Sequence, residues 1–131
     1  MIKDILIDSI FRIKNGYSFG FDSVLLIQSQ KVMKFLDLLY LEGFIRGYIL
    51  LKKEKKIKVL LKYAFSEKAV LRQIIIISKP GRKIFISSKS LWLLDIMRGS
   101  GCFFLTTSKG FMSLKKALSL GLGGELICYV K

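Results

Sequence analysis

Two apolar periods alternate along this chain, and together they confine it to a fold that mixes helices with sheets. Over residues 2–15 the apolar side chains Ile2, Leu6, Ile10 and Ile13 recur at helical spacing, with Asp4, Asp8, Arg12 and Asn15 on another face. Over residues 57–63 the period drops to two, with Ile57, Val59, Leu61 and Tyr63 set against Lys58, Leu60 and Lys62. The longest unbroken apolar runs, such as 74–77, fall far short of the ~20 residues that span a bilayer. The acids at Asp4 and Asp8 also argue against a cleavable N-terminal address, so no such segment is expected.

Element by element, the sequence predicts a helix over 2–15 stopped by Gly16, a short strand over 21–28, and a helix from Ser29 to about Glu42. That second helix is expected to bury Val32, Phe35, Leu36, Leu39 and Tyr40. Strands over 45–51 and 57–63 form a hairpin or meander, and the charge run Lys52, Lys53, Glu54, Lys55 and Lys56 between them reads as a solvated tip. A boundary is expected between residues 66 and 67. Beyond it come a strand over 73–77, a Pro80-Gly81 turn, a returning strand over 83–86, and a helix over 89–98 capped by Ser88 and burying Leu91, Leu94 and Met97. A strand over 102–106, a hydroxyl-rich loop, a short helix capped by Ser113 and closed by Gly121, and a strand over 125–130 complete the chain. The predicted class is α+β in two small α/β subdomains. The first, 1–66, runs helix-strand-helix-strand-strand; the second, 67–131, is mostly β with short helices.

Charge narrows the function. The 131 residues carry 23 Lys and Arg against 9 Asp and Glu, a net charge of +14, while 52% are apolar, which marks a folded basic protein facing a polyanion. The second half is the more basic, with 11 bases against 3 acids from Glu67 onward, compared with 12 against 6 before it.

Enzyme chemistry finds little to work with. There is no histidine, so the usual general base and zinc ligand are missing, and Cys102 and Cys128 form no C-x-x-C pair. Both cysteines sit in apolar stretches and read as small buried hydrophobes. No phosphate-cradling glycine motif occurs. Two S/T-x-x-K matches, Thr106 to Lys109 and Ser113 to Lys116, are the strongest enzyme reading, that of a Ser-Lys hydrolase, but the companion S-D-N and K-T-G elements are missing. Asp4 and Asp8 share a helix face, yet helix-start acids paired with Arg12 explain them better. No catalytic residue, cofactor, metal or small-molecule substrate is therefore expected. A basic, Phe- and Leu-rich peripheral membrane protein remains the rival to a nucleic-acid binder.

The informative segment is Thr106, Thr107, Ser108, Lys109 and Gly110, where hydroxyls, a lysine and a glycine follow a buried strand and form a loop able to approach a sugar-phosphate backbone. From the residues alone, this reading and a simple turn hydrogen-bonding role stand level. Gly123, Gly124 and Glu125 form a second candidate: paired glycines permit close approach to a ligand, and a carboxylate can accept from a base amino group. A surface glutamate after a turn is the plainer account of the same residues.

The run TTSKGFMSLKKALSLGLGGELICYVK resembles the C-terminal pattern STSKGVMTxxxAxxxxxGGE(V/I)LCYV of the family of the eighth protein of the small ribosomal subunit. Residues 4–15 resemble its opening DPIADMLTRIRN, 42–45 its EGFI, 61–63 its LKY and 78–81 its SKPG, so the likeness covers nearly the whole chain. The resemblance implies a two-domain α+β protein that binds the central domain of small-subunit rRNA during assembly, beside neighbouring small-subunit proteins, and that in bacterial relatives can repress its own messenger. It implies a main RNA surface at Thr106, Thr107, Ser108, Lys109 and Gly110, with Gly123, Gly124 and Glu125 beside it. It further implies backbone contacts from Arg12, Lys14 and Asn15, from Ser29 and Lys31, and from Ser78, Lys79 and Gly81. Phe85 stands where the family carries an aromatic hydroxyl, Phe11 where it has a threonine, and Ile76 where it has an arginine. These departures, with a composition that fits A+T-biased coding, lead to the expectation of a mitochondrial ribosome, with a plastid one as the alternative.

Overall fold

A computed structural model describes residues 5–65 and 68–131. The chain divides into two compact units, Met1–Arg72 and Gln73–Lys131. The expected boundary at 66/67, the start of the first helix at Ile2, and Asp4 all lie outside the described residues.

Unit 1 runs α1 (Ile5–Phe19), β1 (Ser23–Ile27), α2 (Gln30–Leu41), β2 (Ile45–Leu51) and β3 (Lys56–Leu61), in the expected order, with β3 central in an antiparallel sheet ordered β1-β3-β2. The alternation seen in the sequence is the reason: Ile57, Val59 and Leu61 are buried beneath the helices, while Lys56 and Lys58 stay exposed. Leu6, Ile10 and Ile13 of α1 and Val32, Phe35, Leu36 and Leu39 of α2 complete this core. Tyr40 is 57% exposed rather than buried, because its position falls at the flank of the stripe centred on Phe35 and Leu39. Gly16 does not stop α1. It is buried inside the helix, where a Cβ would come within 2.5 Å of Val24 Cγ1, so its smallness lets α1 press onto the sheet, and Gly20, at φ +73°, ends the helix instead.

Unit 2 contains β4 (Ile74–Ile76), β5 (Phe85–Ile86), a 3₁₀ turn (Ser88–Ser90), α3 (Leu91–Met97), β6 (Cys102–Thr107), β7 (Gly110–Ser113), α4 (Leu114–Leu120) and β8 (Gly124–Val130). Its sheet is ordered β4-β8-β6-β7, with β5 also on β8. The strand after Pro80-Gly81 does not return alongside β4. Ile74–Ile76 pairs with Val130 to Cys128 and Phe85–Ile86 with Glu125 to Gly124, so β4 and β5 follow one another along the same edge of β8 with an excursion between them. Lys79 and Arg82 close that excursion by reciprocal backbone hydrogen bonds of 3.0 and 2.9 Å around Pro80 and Gly81.

Leu91, Leu105, Met112, Leu114, Ala117 and Leu126 form the core of unit 2. The expected ten-residue helix is shorter, because Ser88–Ser90 take up a 3₁₀ turn first, so Ser90 and not the expected Ser88 precedes α3. Met97, expected inside, is 73% exposed: at 3.6 residues per turn it points roughly 120° away from the buried Leu91. Ser113 caps α4, accepting from Lys116 N–H, and Gly121 closes it in the left-handed conformation, both as predicted. Among the described residues, no helix is long and apolar enough to cross a membrane.

Candidate nucleic-acid interface

β6 and β7 meet in a two-residue turn, Ser108 and Lys109, closed by the pair Thr107 and Gly110. Gly110 sits at φ +111°, a conformation that side chains rarely adopt, which is why a glycine follows the lysine. Thr107 is buried, and its hydroxyl donates to Gly110 O at 3.1 Å and accepts from Lys109 N–H at 3.2 Å. Its polar capacity is spent inside the turn. Ser108 and Lys109 are thereby held outward and exposed on a rigid support.

Four strands carry a row of side chains on one sheet face beside this turn. Phe85 pairs with Glu125, Glu125 with Thr106, and Thr106 with Phe111, so the four residues lie directly opposite one another across β5, β8, β6 and β7. Phe85 is 68% exposed at one end, while Glu125, Thr106 and Phe111 are half-buried. The Thr106 hydroxyl is buried and has no hydrogen-bond partner among the described residues, which makes it an unspent donor and acceptor beside a carboxylate.

Gly123 and Gly124 make this row possible by approaching the chain itself. A Cβ on Gly124 would run into the Thr106 carbonyl, and one on Gly123 would lie 2.5 Å from Ile86 O and 2.7 Å from Ser88 N. Their small size is thus already required by strand packing, without reference to a ligand.

Ser78 is also turned inward. Its hydroxyl donates to Leu126 O and accepts from Ile84 N–H at 3.0 Å, which pins the base of the Pro80-Gly81 excursion to β8. This side chain thus holds the loop, and Lys79 and Gly81 are the exposed members of the motif. Phe111 was not singled out in the sequence, because the strand Gly110–Ser113 was not expected there.

The family model for ribosomal protein S8 matches residues 4–131. The chain belongs to the ribosomal protein S8 family. Small ribosomal subunit protein uS8 of Thermodesulfovibrio yellowstonii is 36% identical over 132 residues, covering 99% of each chain. The uS8 proteins of Buchnera aphidicola and Campylobacter hominis are 38% and 35% identical, with 98% and 99% of each chain covered. The family consists of structural ribosomal proteins, so this chain is not an enzyme, and the Ser-Lys reading falls. Ser113 itself is engaged as the cap of α4.

The remaining S8-family positions lie in unit 1. Arg12 pairs with Asp8 at 3.0 Å, the i,i+4 contact expected from their spacing, and its guanidinium also reaches Leu25 O at 3.5 Å. Lys14 and Asn15 are exposed on α1. Ser29 is the residue before α2, although its side chain makes no capping hydrogen bond, and Lys31 is exposed in the first turn.

Proposed function

We propose that this member of the S8 family binds the central domain of small-subunit rRNA and supports subunit assembly, with unit 2 as its main contact surface. The observation that carries the reading is the arrangement around the β6–β7 turn. Ser108 and Lys109 are presented outward, beside a row in which Glu125 and Thr106 lie between two phenylalanines. Such a face offers a hydroxyl and a cation to a sugar-phosphate backbone, a carboxylate to a base amino group, and rings on which an unstacked base can rest. Gly110, Gly123 and Gly124 border it, while Lys79 and Gly81 add a backbone contact from the excursion. Arg12, Lys14, Asn15, Ser29 and Lys31 add others from unit 1, and neighbouring small-subunit proteins complete the partner set.

Ser108→Ala tests the reading. Filter binding to a central-domain rRNA fragment should show a loss of roughly 1–3 kcal/mol, the value of a hydrogen bond to a charged partner. An unchanged dissociation constant in a folded variant removes Ser108 from the contact. Anionic liposomes offered in competition address the membrane alternative, which requires them to displace the RNA. The location is ribosomal; the mitochondrial or plastid setting expected from the departures at Phe11, Ile76 and Phe85 and from composition draws no support from the relatives named above, which are bacterial.

A further inference from the structure

The β2–β3 turn carries more charge than a solvated tip needs, and the fold pays conformationally to keep it. Lys52, Lys53, Lys55 and Lys56 are all exposed, and none takes part in an ion pair among the described residues, whose two salt bridges are Asp8–Arg12 and Asp95–Arg98. Lys31 and Lys34 at the start of α2 are exposed and unpaired as well. Glu54 is the one acid within the tip. Like charges held this close repel one another in the folded state. Moreover, Lys55 has φ +53°, making it the one non-glycine residue at positive φ among the described residues. Glycine or asparagine would occupy that position with less strain. A lysine there keeps a cation at a fixed place.

That place is the wall of a cleft of about 520 Å³. Lys52 and Lys55 stand on one side, Gln28, Ser29 and Gln30 on another, and Met33 and Leu50 supply the apolar part of its lining. Gln28 N–H donates to Lys55 O at 3.1 Å, which ties the end of β1 to the turn and fixes the two walls to each other. Gln28 and Gln30 are exposed, so their side-chain amides face the solvent, and the Ser29 hydroxyl makes no capping hydrogen bond to α2. A site of this kind combines cations for phosphate, side chains that both donate and accept for a sugar or base edge, and an apolar surface for a ring. Its volume lies in the range that holds a small ligand. An acidic polypeptide would satisfy the lysines and, through its peptide groups, the amides, but its Asp and Glu side chains would leave the apolar lining of Met33 and Leu50 uncovered, where a base ring covers it.

We propose that the β2–β3 tip and this cleft form a second RNA-binding surface that takes a single-stranded segment, with Lys52 and Lys55 on its phosphates and Gln28, Ser29 and Gln30 on a nucleotide in the cleft. The inference rests on the reading of the chain as an RNA binder, but apart from Ser29 it concerns residues not assigned a contact above, Gln28, Gln30, Lys52 and Lys55.

The test uses the full chain and a labelled oligouridylate as the probe. Replacing Lys52 with Gln and Lys55 with Asn removes two cations while easing the backbone at position 55. Affinity for the probe should fall about tenfold, and the log-log salt slope should shrink by about 1.4, from 0.7 per phosphate on single strands. Lys53→Gln, outside the cleft lining, should cost clearly less, and Gln28→Ala should weaken binding without changing the slope. Equal losses from Lys53→Gln and from Lys52→Gln would mean a diffuse basic surface and overturn the site. So would displacement of the probe by polyglutamate as effective as displacement by unlabelled RNA. An unchanged affinity in the double variant, with thermal unfolding as the folding control, also overturns it. Ser108→Ala on the rRNA fragment then separates the two readings: a loss there leaves the unit 2 interface standing when the cleft has failed.

Discussion

Ser78 and Ser108 are the same side chain with opposite assignments. The first donates to Leu126 O and accepts from Ile84 N–H within the fold, while the second is exposed at the tip of a turn. Ser78→Ala leaves a buried carbonyl and an N–H without their partner and should destabilise unit 2 by about 1–3 kcal/mol, read from the midpoint of its urea transition. Ser108→Ala should leave that midpoint nearly unchanged. A Ser78→Ala protein as stable as its parent would show that water replaces the hydroxyl. Side chains with near neighbours in sequence were legible: the Asp8–Arg12 pair and the Ser113 cap each depend on a partner three or four residues away. Ser78, Gly16 and Gly124 were not, since what meets them comes from distant strands or, for Gly16, from the strand after the helix.

At the scale of elements, the β6–β7 hairpin fixes both the geometry and the direction of the proposed contact. Gly110→Ala forces a Cβ into φ +111° and should cost about 1–3 kcal/mol of unit 2 stability. RNA affinity should fall with it, because Ser108 and Lys109 lose their support; full affinity in the variant would mean the loop adjusts freely and is not preorganised. This hairpin was half legible. The strand Cys102–Thr107 and the hydroxyl loop were seen, but a four-residue strand after a Ser-Lys turn lacks the Asn-Gly signal that announces tight hairpins. The Pro80-Gly81 turn misled for the opposite reason. It does reverse the chain locally, but which edge the next strand joins is decided by β8, some forty residues later. Longer elements with a clear period, β3 and α2, were read within a residue or two.

For the molecule as a whole, the absence of histidine leaves no side chain whose ordinary pKa lies between about 5 and 8, so stability and RNA affinity should vary little over that range. The alkaline limb differs. A hydrogen bond to Asp37, at 2.7 Å, raises Tyr48 from 10.0 to about 12, and burial raises Tyr17 as well. A pKa raised in the folded state means stability that is fully present below pH 10 and is lost as the pH climbs through about 12. Tyr48→Phe should therefore show a shallower fall of the unit 1 melting temperature between pH 10 and 12 than the parent, measured by circular dichroism. Identical alkaline falls would assign the effect to Tyr17 and the other tyrosines.

The position of β8 bears on when this protein can act. Gly124–Val130 is the latest strand in the sequence, yet β4, β5 and β6 all pair with it, whereas the central strand of unit 1 is finished by Leu61. During synthesis, unit 1 can close while unit 2 is still being made, but β4, β5 and β6 have no common partner until residue 130 has emerged. The row from Phe85 to Phe111 needs β8 for Glu125 and for its alignment. A nascent chain therefore lacks a completed unit 2 interface until β8 has formed, and the contact proposed for that unit can begin only then.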